Sequence, residues 1–96
     1  MPKYEPIHPG EILAEEFMAP LEINAAALAR AIRVPANRVT RLVNGQASVT
    51  PDTAMRLARA LRTTPAFWLN LQTQFDLETA EDAGVDIEGI EPIVVG

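Results

Sequence analysis

The chain has no cysteine, one histidine, and five glycines. Without cysteine there is neither a disulfide nor a thiolate metal site to hold the fold. His8 alone cannot assemble the usual zinc ligand set. A hydrolytic triad would have to join His8 to Ser48, the only serine. No glycine falls in a phosphate-loop pattern, and Glu15 and Glu16 point in different directions on a helix, so they form no carboxylate pair. The chain therefore reads as a non-enzyme with no cofactor and no metal, and His8 reads as a structural cap. No stretch approaches the roughly 20 apolar residues of a membrane span. The opening "MPKYEPIHPGE" lacks the basic-then-apolar pattern of an export signal. A cytoplasmic protein with no membrane partner is expected.

What is present is a chain of 96 residues, 48% of them hydrophobic, enough for one domain with one modest core. The net charge is −5, but the charges are segregated. Residues 1–23 set Lys3 against five glutamates, a net −4. Residues 24–62 set seven arginines (30, 33, 38, 41, 56, 59 and 62) against Asp52 alone, a net +6. Residues 63–96 hold seven acids and no base. Screening cuts off charge interactions beyond about 8 Å at physiological salt, so a polyanion responds to the local patch more than to distant ends. The acidic total does not exclude nucleic acid.

Helix signals recur along the chain. In "HPGEILAEEFMAPL", His8 is placed as N-cap, Pro9 at the first helical position and Glu11 at N3, with Pro20 ending the helix. "INAAALARAIR" gives a second helix capped by Asn24, with Ala25, Leu28, Ala29 and Ile32 on one face. "TPDTAMRLARALR" starts on Thr50 and Pro51 and places Ala54, Leu57, Ala58 and Leu61 at i, i+3, i+4, i+7. "TPAFWLNLQTQFDLETAED" starts on Thr64 and Pro65 and is expected to bury Phe67, Trp68, Leu71 and Phe75. The near-repeat "LARAIR" and "LARALR" marks two similar core helices, since two copies are too few for a solenoid. Residues 1–83 are expected to form the domain. Residues 84–96 read as an extended or flexible tail, with "IEPIVV" as a short edge strand.

Between the second and third of these runs lies "VPANRVTRLVNG", residues 34–45, a further helix that makes five in all. At 100° per residue Val39, Leu42 and Val43 fall on one side and Asn37, Thr40, Arg41 and Asn44 on the other. Pro35 breaks the preceding helix and lets the next begin, while Gly45 supplies a left-handed stop. The polar face carries amide, hydroxyl and guanidinium groups, which suit base edges and phosphates. On its own the pattern also fits a solvated helix face. Joined by a tight turn to the helix before it, it forms a helix-turn-helix arrangement whose third helix, about residues 36–44, would enter the major groove.

The three runs "HPGEILAEEFMAPL", "ALARAIRVPANRVTRLVNG" and "TPDTAMRLARALRTTPAFWLNLQTQFDLE", in that order over about residues 7–78, resemble the HigA-type (VapI-like) antitoxins of the lambda-repressor-like helix-turn-helix group. The resemblance implies an all-α, five-helix domain with a short extended C-terminal tail. It also implies a dimeric bacterial autorepressor that binds a palindromic operator on double-stranded DNA and neutralises a RelE-like, HigB-type, mRNA-cleaving toxin. Relatives usually carry glycine where this chain has Arg33 and Arg62, and a Ser or Thr cap where it has Pro35. Basic residues are common where it has Gln46 and Ala47.

In that frame Asn37 and Arg41 face the groove centre and read base edges, Arg38 and Thr40 flank them, and Ala36 makes apolar contact. Asn24, Asn44, Gln46 and Ser48 are placed as phosphate contacts. Arg56, Arg59 and Arg62 line the outer face of the fourth helix, either solvated or paired with the acidic ends, or else forming a phosphate-facing rim. Leu69 and Leu77 fall off the core stripe of the fifth helix and, with Trp68, are placed in a homodimer interface. The competing reading is a protein-interaction antidote whose acidic ends cover a basic toxin, or a stand-alone regulator without a toxin.

Overall fold

Proline at the first helical position opens three of the five helices found among the described residues, which in this computed structural model are residues 5–94. Its missing N–H is not needed there and its fixed φ suits a helix start. Helix α1 spans residues 9–21, α2 Ala25–Ile32, α3 Ala36–Val43, α4 Pro51–Leu61 and α5 Pro65–Asp82. His8 Nδ1 accepts from the Gly10 N–H at 2.9 Å and Asn24 Oδ1 from Ala27 at 2.8 Å. Thr50 Oγ1 accepts from Thr53 at 3.3 Å and Thr64 Oγ1 from Phe67 at 3.1 Å. Helix α3 alone begins without a side-chain cap, because Pro35 occupies that position. The missing cap leaves α3 short of a bond worth about 1 kcal/mol.

The helices also end alike, each with a left-handed residue or glycine just past its last turn. At α3 the Gly45 N–H donates to Leu42 O at 3.1 Å and Gln46 N–H to Arg41 O at 2.8 Å, a Schellman closure. Gly45 and Gly84 take the positive φ easily, but Glu22 (φ 54°), Arg33 (φ 61°) and Arg62 (φ 56°) do so with a Cβ in place. Each of the three costs on the order of 1 kcal/mol. The apolar residues that follow the first two, Ile23 and Val34, pack on the core and offset the strain.

Pro20 does not end α1. The helix passes through it to Leu21 and stops at Glu22. A proline inside a regular helix would drive its ring into the carbonyl four residues earlier. The chain relieves this by widening to a π turn over Leu13–Met18, where the Ala19 N–H reaches Ala14 O instead of the next carbonyl along.

The core joins Leu13 and Met18 of α1, Leu28, Ala29 and Ile32 of α2, Val39 and Leu42 of α3, Ala54 and Leu57 of α4, and Trp68 of α5. Trp68 is wholly enclosed. Its indole N–H donates to Thr63 Oγ1 at 2.7 Å and its ring meets Phe17 at 5.3 Å and Phe67 at 5.0 Å. The expected α5 stripe is only partly buried: Leu71 and Phe75 are half-buried, and Phe67 lies at the rim, edge-on to Trp68, 38% exposed. Residues 85–94 contain no strand; they carry a turn closed by Ile90 N–H to Ile87 O at 3.0 Å. Within the described residues "IEPIVV" has no neighbouring strand to pair with, and its Val95 lies outside them.

Helix α1 crosses the end of α3 at Gly10. A Cβ built there would lie 1.8 Å from the Leu42 carbonyl oxygen and 3.0 Å from Val43 Cα, both backbone atoms with no freedom to give way. Gly10→Ala should therefore lower the unfolding free energy by about 1–3 kcal/mol. Urea unfolding followed by circular dichroism measures this. A loss below about 0.5 kcal/mol would mean that α1 and α3 do not meet this closely.

Candidate nucleic-acid interface

Helix α3 keeps the two faces that its spacing predicts. Val39 and Leu42 are buried and Val43 half-buried, while Ala36, Asn37, Arg38, Thr40, Arg41 and Asn44 are all exposed. Helix α2 packs along it from one side and α1 closes over its C-terminal end. A rod eight residues long, fixed from behind, thus presents amide, hydroxyl and guanidinium groups outward.

The proposed base-reading side chains are not equally free. Thr40 Oγ1 donates back to Ala36 O at 3.2 Å, leaving its lone pairs and methyl group to an incoming ligand. Arg41 Nη2 makes one long bond, 3.3 Å, to Gln46 O in the loop after α3, which holds its guanidinium over the C-terminal half of the helix. Arg38 turns toward α4, its Nη1 2.6 Å from Asp52 Oδ2. Of the four phosphate candidates, Asn44 and Gln46 sit at the end of α3, and Ser48 follows in the same exposed loop. Asn24 stands apart at the start of α2, where its Oδ1 is occupied by the cap and only its amide NH₂ remains to donate.

The dimer candidates separate as well. Trp68 is sealed inside the single chain and has no surface to offer a second copy; its place on the expected interface is a misreading of a core residue. Leu69 is half-buried against that same core, while Leu77 is 56% exposed. Arg56, part-exposed, pairs within the basic stretch and not with the acidic ends. Its Nε meets Asp52 Oδ2 at 3.0 Å and its Nη1 donates to Ile32 O at 2.8 Å and Arg33 O at 3.3 Å, capping the last turn of α2. Arg59 and Arg62 remain exposed.

Two residues that position this surface escaped the sequence reading. Asp52 links α3 to α4. Gln72, buried on α5, accepts the Val49 N–H at 2.7 Å and donates to Asp76 Oδ1 at 2.9 Å, tying down the loop that leaves α3. A lone glutamine in a helical run is a weak signal, since nothing local tells which backbone group it will meet. Among the described residues no helix is long and apolar enough to cross a membrane, and no three His, Asp or Glu side chains converge as a metal site requires.

Residues 15–68 match the helix-turn-helix family. The chain is 44% identical over 87 residues to virulence-associated protein I of Dichelobacter nodosus, covering 91% of this chain and 81% of that protein. It is similar in structure to the Pseudomonas aeruginosa antitoxin HigA with the higBA promoter, with a TM-score of 0.86 at 47% identity over 93% of this chain and 99% of that one. The antitoxin GraA in complex with its operator gives a TM-score of 0.86 at 47% identity, covering 100% of this chain and 98% of that one.

The guanidinium of Arg56, and after it that of Arg38, hold the Asp52 carboxyl below its ordinary value of 3.8. Arg33 and Arg59 line the same open depression and add positive charge around it. A carboxyl shifted downward in this way favours the folded state at every pH above its ordinary value and loses that contribution only as pH falls through the lowered one. The bridge from α3 to α4 is therefore intact at neutral pH and opens only in acid below 3.8. Carbon NMR titration should place the Asp52 midpoint below 3.8, with Arg56→Gln raising it more than Arg38→Gln. A midpoint at or above that value would mean the pair does not form.

Proposed function

Because the chain belongs to the HigA-type antitoxins of the helix-turn-helix family, which are DNA-binding proteins and not enzymes, we propose that it represses its own operon by binding a palindromic operator. The observation that carries this reading is the outward face of α3, polar and cationic over a firmly packed back. Asn37 and Arg41 read base edges, with Arg38, Thr40 and Ala36 beside them. Asn44, Gln46, Ser48 and the Asn24 amide hold phosphates. Relatives of this similarity solved with promoter and operator DNA support DNA as the partner. The protein works in the bacterial cytoplasm as a homodimer, since a two-fold operator calls for a two-fold protein. Leu77, exposed on α5, and the half-buried Leu69 supply the apolar groups for pairing.

A protein partner is supported by a separate observation. Residues 85–94 expose Val85, Ile87, Ile90, Ile93 and Val94, interleaved with Asp86, Glu88 and Glu91. An acidic, apolar segment of this kind suits a small basic protein such as a RelE-like toxin of the HigB type.

Footprinting on the DNA upstream of its own reading frame should protect two half-sites about one helical turn apart. Arg41→Ala should cost about 1–3 kcal/mol on that site and relax preference at one base pair. An equal loss on all sequences would demote Arg41 to a phosphate contact, and absence of a footprint would remove the repressor reading. Light scattering at micromolar concentration should give the mass of two chains, and the mass of one would count against the dimer.

A further inference from the structure

Asp52 is the only acid between residues 24 and 62, in the stretch that carries seven of the eight basic residues. Its place in the first turn of α4 has an ordinary explanation, since a carboxylate there complements the helix dipole. That does not explain its contacts. Oδ2 accepts from two guanidiniums at once, Arg56 Nε at 3.0 Å and Arg38 Nη1 at 2.6 Å. Arg56 is also pinned to the end of α2 through Ile32 O and Arg33 O, so the carboxylate is itself held in place. Arg38 is attached at a single point. Its side chain is 42% exposed, and its other N–H groups remain to donate.

An unattached guanidinium beside a duplex moves to the nearest phosphate, which binds any sequence. One held by a carboxylate has its charge largely neutralised and its reach confined to a short arc. A group within that arc can still be contacted, whereas a phosphate outside it cannot.

We propose that Asp52 is a positioning residue for specificity, one that acts by holding Arg38 back from the phosphate backbone. The inference rests on the reading of α3 as the DNA-contacting helix. It adds that the surface is built to be weak on arbitrary DNA.

The test uses the full chain, with fluorescence anisotropy on a duplex bearing the footprinted operator and on a scrambled duplex of equal length, between 50 and 200 mM salt. Asp52→Asn should raise affinity for scrambled DNA about tenfold while changing operator affinity little, so that the ratio of the two falls about tenfold. The log–log salt slope on scrambled DNA should steepen by about 0.9 for each guanidinium released. In an Arg38→Gln background the same substitution should shift the ratio by less than about twofold, because its route is gone. Both positions are exposed, where substitutions rarely unfold a chain. Equal tightening on both duplexes would overturn the proposal, showing that only a general negative charge had been removed. So would the full effect surviving in the Arg38→Gln background, or no effect at all. If the unaltered protein itself fails to distinguish operator from scrambled DNA, the repressor reading falls and takes this inference with it. If it distinguishes them and Asp52→Asn does not matter, the inference alone falls.

Discussion

The outward helix is held from behind by a backbone contact that no side chain could enter. At Gly10 the first helix rests directly on the Leu42 carbonyl, and the absence of a Cβ there sets how closely α1 and α3 approach. Everything the polar face can do follows from that seat. A reading helix must present its side chains in a fixed register, and packing against Leu13 and Leu28 alone would leave room to slide. The Schellman closure at Gly45 and the Gln72 bond to Val49 then hold the exit loop, so the segment from Ala36 to Val49 is fixed at its back and at its far end.

The electrostatics are local for the same reason. A chain of net charge −5 can face a polyanion because its arginines lie in one stretch and its acids in the two flanking ones. The sole exception within the basic stretch, Asp52, is bonded to two of those arginines, so the outer face is less cationic than its sequence implies. Pairing of this kind trades raw attraction for directed presentation. A surface of free lysines would bind more tightly and discriminate less.

Local rules made most of the helices legible. The caps at Asn24, Thr50 and Thr64 and the stop at Gly45 depend on neighbours within a turn, and the apolar stripes of α2, α3 and α4 depend only on helical period. What stayed hidden was non-local or a conflict between rules. Pro20 reads as a terminator until the chain is seen to widen ahead of it. Glu22 carries no mark of a left-handed residue, and its conformation follows from Ile23 packing on the core. Helical spacing puts Trp68 on the core stripe, where it lies, but does not say that Phe17 and Phe67 close over it so fully that no edge is left for a second copy. On the interface itself, the exposure of Asn37, Thr40 and Arg41 was readable from spacing. The tether on Arg38 was not, since its partner lies fourteen residues away on another helix.

The three side-chain-bearing residues in left-handed conformation have a consequence for how this chain can vary. Together they hold back roughly 3 kcal/mol, against the 5–15 kcal/mol typical of whole domains. Glu22 and Arg62 lie outside α3 and its exit loop. The fraction of molecules that are folded can therefore drift up or down through these two helix ends while the outward surface of α3 stays the same. Abundance and recognition are thereby placed in separate hands.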